Sequence, residues 1–288
     1  MIKLKSVFIN GLGLIGATMA RIIKAASPTT TITAFDSKQE NVTTMVAAGV
    51  VDQTVDFATG ASQADLIILA TPVSGICESL HQLAQLDLKP GVLVTDVGSS
   101  KETILRAAEP LMDRGVQFLG GHPMAGSHLT GSQNSRLDLL ANHSFFLVNG
   151  NASPTTIKAY QALLVPAQLH FSALTAEQHD QLVSATSHLP HMVAFALTNT
   201  IIPEVDDMAI DPGIPSGGLL DTTRIAKADP DMWTAIFTSE RADLLAQIDQ
   251  FQKQLTRLRT AISVDDQESI HDQLQAANTA RRRLEDKR

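Results

Sequence analysis

The chain has 288 residues, 44% of them apolar, and carries 22 Lys and Arg against 30 Asp and Glu, a formal charge of 22 − 30 = −8. At roughly 150 residues per domain, this length predicts two domains, each able to bury its own core, and excludes disorder as the main state. A single cysteine, Cys77, excludes an internal disulfide framework or Cys-rich zinc module and fits a reducing, cytoplasmic compartment, while the acidic balance disfavours nucleic acid and anionic membrane as partners.

Lys3 and Lys5, followed by an apolar stretch ending in A-T-M-A, imitate a secretory signal, yet the same residues read better as strand, turn and helix. Residues 6–10 (S-V-F-I-N) predict a strand that runs into G-L-G-L-I-G at 11–16 and then a helix. In that turn Gly11 allows the sharp bend, Gly13 the approach of a pyrophosphate and Gly16 close packing of helix on sheet, with Leu12, Leu14 and Ile15 completing the loop. Free N–H groups at the helix start would face the phosphates. A second strand, T-I-T-A-F-D, ends at Asp36, 20 residues beyond Gly16. That is where a carboxylate receives the adenosine ribose hydroxyls and repels a 2′-phosphate, so NAD is expected over NADP; Lys38 leaves room for dual use.

The run 65–70 predicts a third buried strand, with Thr71, Pro72 and Val73 at its exit, where the nicotinamide-side ribose would lie. The run 92–96 leads into D-V-G-S-S-K, which sets Ser99 at the same crevice. The run 116–119 leads into G-G-H-P-M-A-G-S-H, which predicts His122 on a stiff loop facing the nicotinamide; spacing alone leaves a surface histidine as the alternative. With 145–148 as a further strand, continuous apolar runs alternating with helices predict a doubly wound α/β Rossmann-type domain over residues 1–173 with a parallel sheet.

From residue 174 no strand is expected. Thr175 and Gln178 offer an N-cap and capping box, and 176–187, 190–202, 230–262 and 265–284 carry helical apolar spacing, which predicts an all-helical domain over residues 174–288. Leu244, Leu245, Ile248, Phe251, Leu255, Leu258 and Ile262 form a stripe that would pack in the monomer or, preferably, across a homodimer. His188 and His191 in S-H-L-P-H have metal-ligand spacing without a third ligand nearby, so no metal is expected. Arg224 in D-T-T-R-I-A could clamp a carboxylate bidentately or pair with Asp221. The tail at 281–288, five basic residues against two acidic, reads as a basic helix end.

Taken together, G-L-G-L-I-G, D-V-G-S-S-K, G-G-H-P-M-A-G, S-H-L-P-H and D-T-T-R-I-A, in this order over residues 4 to 285, resemble the prephenate dehydrogenase family, which includes arogenate and cyclohexadienyl dehydrogenases. The resemblance implies an oxidative decarboxylation in which hydride passes from a cyclohexadienol ring to NAD, CO2 leaves and the ring becomes a phenol. It implies that His122 accepts the proton of the 4-hydroxyl, that Ser99 bonds the same hydroxyl, and that Arg224, His191 and Gly217 bind the substrate, prephenate in preference to arogenate. No metal is required for that chemistry. The chain departs from the family in having His128 where an acidic residue is common, which would add a titration near neutrality. Its ending near Arg288 leads to the expectation of no appended regulatory or mutase domain. A β-hydroxyacid dehydrogenase would be expected to carry a lysine within residues 176–200, where there is none. A nicotinamide sensor without turnover would not need the intact Ser99, His122, His191 and Arg224.

Overall fold

The computed structural model describes residues 4–125, 129–207 and 217–285, with the side chains of 204–207 set aside. Its first compact unit runs to Glu240 and its second from Arg241.

The first unit starts with β1 (Ser6–Asn10), α1 (Leu14–Ala26), β2 (Thr31–Phe35), α2 (Gln39–Ala47), β3 (Gln53–Thr54), α3 (Phe57–Gln63), β4 (Leu66–Leu69), α4 (Val73–Leu83), β5 (Leu93–Asp96), α5 (Lys101–Asp113) and β6 (Gln117–Pro123). After two short 3₁₀ turns come β7 (Ser144–Asn149), α6 (Pro154–Leu163) and β8 (His170–Ala173). The described strands form one sheet in the order β3-β2-β1-β4-β5-β6-β7-β8. The order reverses between β1 and β4, which opens a crevice at the carboxyl ends of these strands.

Strand side chains alternate between faces, so each face builds its own core. Val7, Ile9, Leu66, Ile68, Leu93 and Leu119 pack on one side with Ile22 and Ile23 of α1. Phe8, Ile67, Leu69, Val94 and Phe118 pack on the other with Ile76 and Leu80 of α4 and Ile104 and Leu111 of α5. This accounts for the continuous apolar runs in the sequence.

Two strand expectations need correction. The sheet is not wholly parallel, because β7 runs antiparallel to β6, pairing His122 with Phe146. In addition, β6 continues through Pro123, so His122 stands in a strand and not on a loop. A Cβ at Gly121 would lie 2.8 Å from the Asp96 carbonyl oxygen, and glycine lets the strand pass there.

Beyond β8 all described elements are helical: α7 (Ala176–Val183), a π-helical turn (Ser184–His188), α8 (Leu189–Asp207), α9 (Gly217–Thr223), a 3₁₀ turn (Arg224–Lys227) and α10 (Pro230–Ser239). The capping box forms as read, with Thr175 Oγ1 accepting from Gln178 N–H at 3.1 Å and Gln178 Oε1 from Thr175 N–H at 3.0 Å. Helix α7 packs on α5 and β7, and this places residues 176–240 in the same compact unit as the sheet. The expected single helix over 230–262 is broken at Glu240.

The second unit is a hairpin of α11 (Arg241–Ser263) and α12 (Gln267–Glu285), turned by Asp265 at φ +53°. Of the predicted stripe Leu244 is buried, whereas Leu245, Leu255 and Ile262 are each at least 50% exposed. Among the described residues no helix is long and apolar enough to cross a membrane.

Candidate active site

The glycine turn lies between β1 and α1. Gly11 has φ +96°, a left-handed conformation that disfavours a side chain, and its amide donates to the Phe35 carbonyl at 2.8 Å. A Cβ at Gly16 would sit 2.0 Å from the Gly11 carbonyl oxygen, which no side chain tolerates. Gly13 has open space about it, and no side chain caps the start of α1. The turn therefore offers uncapped N–H groups beside room for a phosphate, as a dinucleotide requires.

Asp36 is more than a solvated strand end. Its Oδ2 accepts from Leu12 N–H at 2.6 Å and its Oδ1 from Lys38 N–H at 2.7 Å, which ties the second strand to the glycine turn. Across the crevice, the Ala70 carbonyl oxygen lies 2.7 Å from where a Gly11 Cβ would be. Thr71 Oγ1 is buried without a hydrogen-bond partner among the described residues, Pro72 caps α4 and Val73 is buried behind it. An orphaned hydroxyl at this crevice fits a ligand that supplies its partner. The residues present thus fit a dinucleotide.

Ser99 is half-buried in the short turn between β5 and α5. That turn runs beside Gly121 and His122, since β6 is the neighbour of β5. Within it Asp96 Oδ2 accepts Gly98 N–H at 2.8 Å and is ion-paired with Lys101 Nζ. Both partners are buried, Asp96 completely, and Oδ1 of Asp96 has no partner among the described residues.

His122 is half-buried, and its Nδ1 lies 2.8 Å from His179 Nε2. His179 is fully buried, with Phe146 edge-on to its ring at 5.7 Å and its Nδ1 2.6 Å from Asp180 Oδ1. Asp180, 2% exposed, then accepts two amides at the start of α5, Lys101 N–H at Oδ1 and Glu102 N–H at Oδ2, each at 2.8 Å. Burial holds His122 well below the ordinary imidazole range, and the neighbouring His179, Lys101 and His188 act in the same direction. Burial also lowers His179, against the pull of Asp180.

His179 and Asp180, with Asp96 and Lys101, were not among the residues singled out from sequence. Their signal was faint: an H-D pair in the first turn of a capped helix, where polar side chains ordinarily face water. Val183 shares their buried face, and spacing of four from His179 is the one cue that would have turned the pair inward.

A second cluster gathers around Trp233 of α10. His191 stacks on the indole with ring centroids 3.8 Å apart and an interplanar angle of 23°, and its Nδ1 donates to the Ser187 carbonyl at 2.9 Å. That bond leaves Nε2 as the free acceptor. His188 meets the indole edge-on, and burial pushes it down to about 4. Trp233 Nε1 is buried and unpartnered among the described residues. Burial lowers His191, and the charge of Arg224 acts on it in the same direction. Gly217 opens α9 and is exposed; α9 packs on α8, the helix that carries His191. Among the described residues no group of three potential ligands could hold a metal. His128 lies outside the described residues, as do 212–216 of the Pro/Gly-rich loop.

A doubly wound sheet with an uncapped glycine turn, a strand-end carboxylate bonded to that turn and a hydrogen-bonded histidine pair on the adjoining strand and helix belongs with the dinucleotide-dependent dehydrogenases. Residues 19–169 match the family model described as prephenate dehydrogenase, nucleotide-binding domain, and 175–276 the model described as prephenate dehydrogenase, dimerization domain. The prephenate dehydrogenase of Lactococcus lactis subsp. cremoris is 35% identical, over 98% of this chain and 78% of its own length. That of Bacillus subtilis is 32% identical, over 92% and 72% respectively. Among solved structures, prephenate dehydrogenase from A. aeolicus in complex with hydroxyphenyl propionate and NAD+ is 27% identical and superposes with a TM-score of 0.86, covering 98% of this chain and 99% of that one. The chain belongs to the prephenate dehydrogenase family.

Proposed function

We propose that this chain catalyses the oxidative decarboxylation of prephenate, yielding 4-hydroxyphenylpyruvate, CO2 and NADH. The observation that carries the reading is the hydrogen-bonded imidazole of His122, set on β6 next to the Ser99 turn of a nucleotide-binding sheet. NAD, when bound, supplies the hydride acceptor, and Gly11, Leu12, Gly13, Leu14, Ile15, Gly16, Asp36, Thr71, Pro72 and Val73 would hold it. His122 takes the proton of the 4-hydroxyl as the ring carbon is oxidised, a task that suits an imidazole kept unprotonated by burial. Ser99 orients the same hydroxyl. Arg224 holds a substrate carboxylate through its planar fork, so that the carboxylate destined to leave stays unclamped. His191, fixed by Ser187 and Trp233, presents Nε2 toward the substrate side chain, and Gly217 lies at the start of α9, the helix that leads into Arg224.

In this reading residues 1–173 carry the nucleotide and 174–288 the substrate and the subunit contact. A homodimer through the helical region is supported by the match of 175–276 to a dimerization domain and by exposed Leu245, Leu255, Ile262 and Leu274. A cytoplasmic location is supported by the single cysteine and by the intracellular supply of NAD.

The test is NADH formation by the purified chain with NAD+ and prephenate, beside a parallel series with arogenate. Turnover with the higher kcat/KM on prephenate is expected. A higher value on arogenate overturns the substrate assignment, and no turnover on either by protein that binds NAD overturns the reaction.

A further inference from the structure

Resting on the reading of His122 as the base, we propose that His179 and Asp180 are positioning residues of a hydrogen-bonded relay, which fixes the nitrogen of His122 that faces the substrate and receives the proton His122 would otherwise hold.

The direction of every hydrogen bond follows from one end. Asp180 accepts two amides in the first turn of α5, where the helix dipole favours an ionised carboxylate. An ionised carboxylate only accepts, so the hydrogen in the 2.6 Å contact belongs to His179 Nδ1. Neutral His179 then carries a lone pair at Nε2, 2.8 Å from His122 Nδ1, and His122 must donate there. With its hydrogen on Nδ1, neutral His122 keeps its lone pair on Nε2. Asp180 thus determines, two rings away, that the base presents Nε2, as a buried carboxylate does when it holds a neighbouring imidazole in one tautomer.

The same chain can carry charge. As the substrate hydroxyl gives its proton to His122 Nε2, the Nδ1–H bond of His122 breaks and its proton forms a bond to His179 Nε2. His122 ends neutral, protonated on Nε2, and His179 ends as an imidazolium beside the Asp180 carboxylate. One proton enters and one positive charge results, moved from the ring flanked by Lys101 and His188 to the ring flanked by a carboxylate. After product leaves, His122 Nε2 releases its proton to water and His179 returns its own. The groups facing the pair are Asp96 and Lys101 from β5 and α5, Asp180 and His188 from α7 and the π-helical turn, and Phe146 from β7. Of these, Lys101 opposes a cation on either ring, and Asp180 and Asp96 favour one on His179. The two rings titrate as a pair.

Two substitutions separate the roles. In His179→Gln the amide oxygen can still accept from His122 Nδ1 but cannot take a proton, so the tautomer survives and the relay does not. Expected are a kcat lower on the order of 10- to 100-fold, part of the 10²–10⁴ that a positioned base supplies, KM for prephenate and NAD affinity near native, and the acid limb of kcat/KM displaced about one unit to lower pH. His179→Leu should lose more, because nothing then fixes the ring. Nitrogen-15 spectra of histidine-labelled native protein should show His122 protonated on Nδ1 and not on Nε2, a readout that needs neither variant to fold. A native kcat and acid limb in His179→Gln, a kcat loss without displacement of the limb, or a His122 protonated on Nε2 would each overturn the proposal. His122→Asn in the same assay tells the two readings apart. If it stays active the base assignment itself is wrong, whereas if it is dead while His179→Gln is native, only the relay fails.

Discussion

Lys101→Met tests whether the buried ion pair beneath the histidines is a structural and an electrostatic element at once. Lys101 and Asp96 are 1% and 0% exposed, and Asp96 keeps only the Gly98 amide if the ammonium is removed. Breaking such a pair from one side leaves an uncompensated buried charge, a loss of about 3–5 kcal/mol. At roughly 2–4 °C per kcal/mol for a unit of this size, the melting temperature should fall by roughly 6–20 °C. Lys101→Met/Asp96→Leu removes both charges and should recover more than half of that fall, the remainder reflecting the stranded Gly98 amide. Lys101 also opposes protonation of His122 and His179, so the single variant should move the acid limb of the pH–rate profile upward, and the carboxylate left behind acts in the same direction. Calorimetry and a pH series of initial rates on the holoenzyme give both numbers. A single variant within about 2 °C of native, or a double variant as unstable as the single, would refute the reasoning.

Arg224→Ala should raise KM for prephenate roughly 10- to 100-fold, the equivalent of one lost charge-assisted contact, with NAD affinity little changed; steady-state kinetics at saturating NAD decides it. Asp36→Ala should raise the NADP to NAD ratio of kcat/KM about tenfold or more, and should also weaken NAD itself, because Leu12 N–H loses its acceptor. Thermal stability should decline as pH falls from about 6.5 toward about 4. His122, His179 and His188 have folded-state values below the unfolded imidazole value, so between the two the unfolded chain binds more protons and unfolding gains. A melting temperature flat over that interval would contradict the burial described for these rings.

Much of the sheet was legible because burial on both faces writes itself as continuous apolar runs: 6–10 became Ser6–Asn10, 92–96 became Leu93–Asp96 and 145–148 became Ser144–Asn149. The short strands β3 and β8 carry no such mark, since Gln53, Thr54 and most of β8 are exposed. The glycine turn and Asp36 were legible because their backbone demands are local. The extension of β6 through His122 was not, because the reason for Gly121 is a carbonyl on another strand. His179 and Asp180 escaped for a similar reason, as the capping box that frames them says where a helix starts and nothing about which neighbour waits on its inner face. The break at Glu240 was hidden by apolar spacing that continues across it.

The two amides that Asp180 grips belong to the helix that follows Ser99, while Asp180 itself belongs to α7, the helix that opens the all-helical part of the chain. This makes the joint an interlock between alignment and integrity. If α7 lifts from α5, Asp180 gives up both amides and His179 its contact with His122 in one movement. Under the proposed relay, chemical competence would therefore fail at a lower threshold than the fold, through a local opening that reseating of the α7–α5 joint reverses.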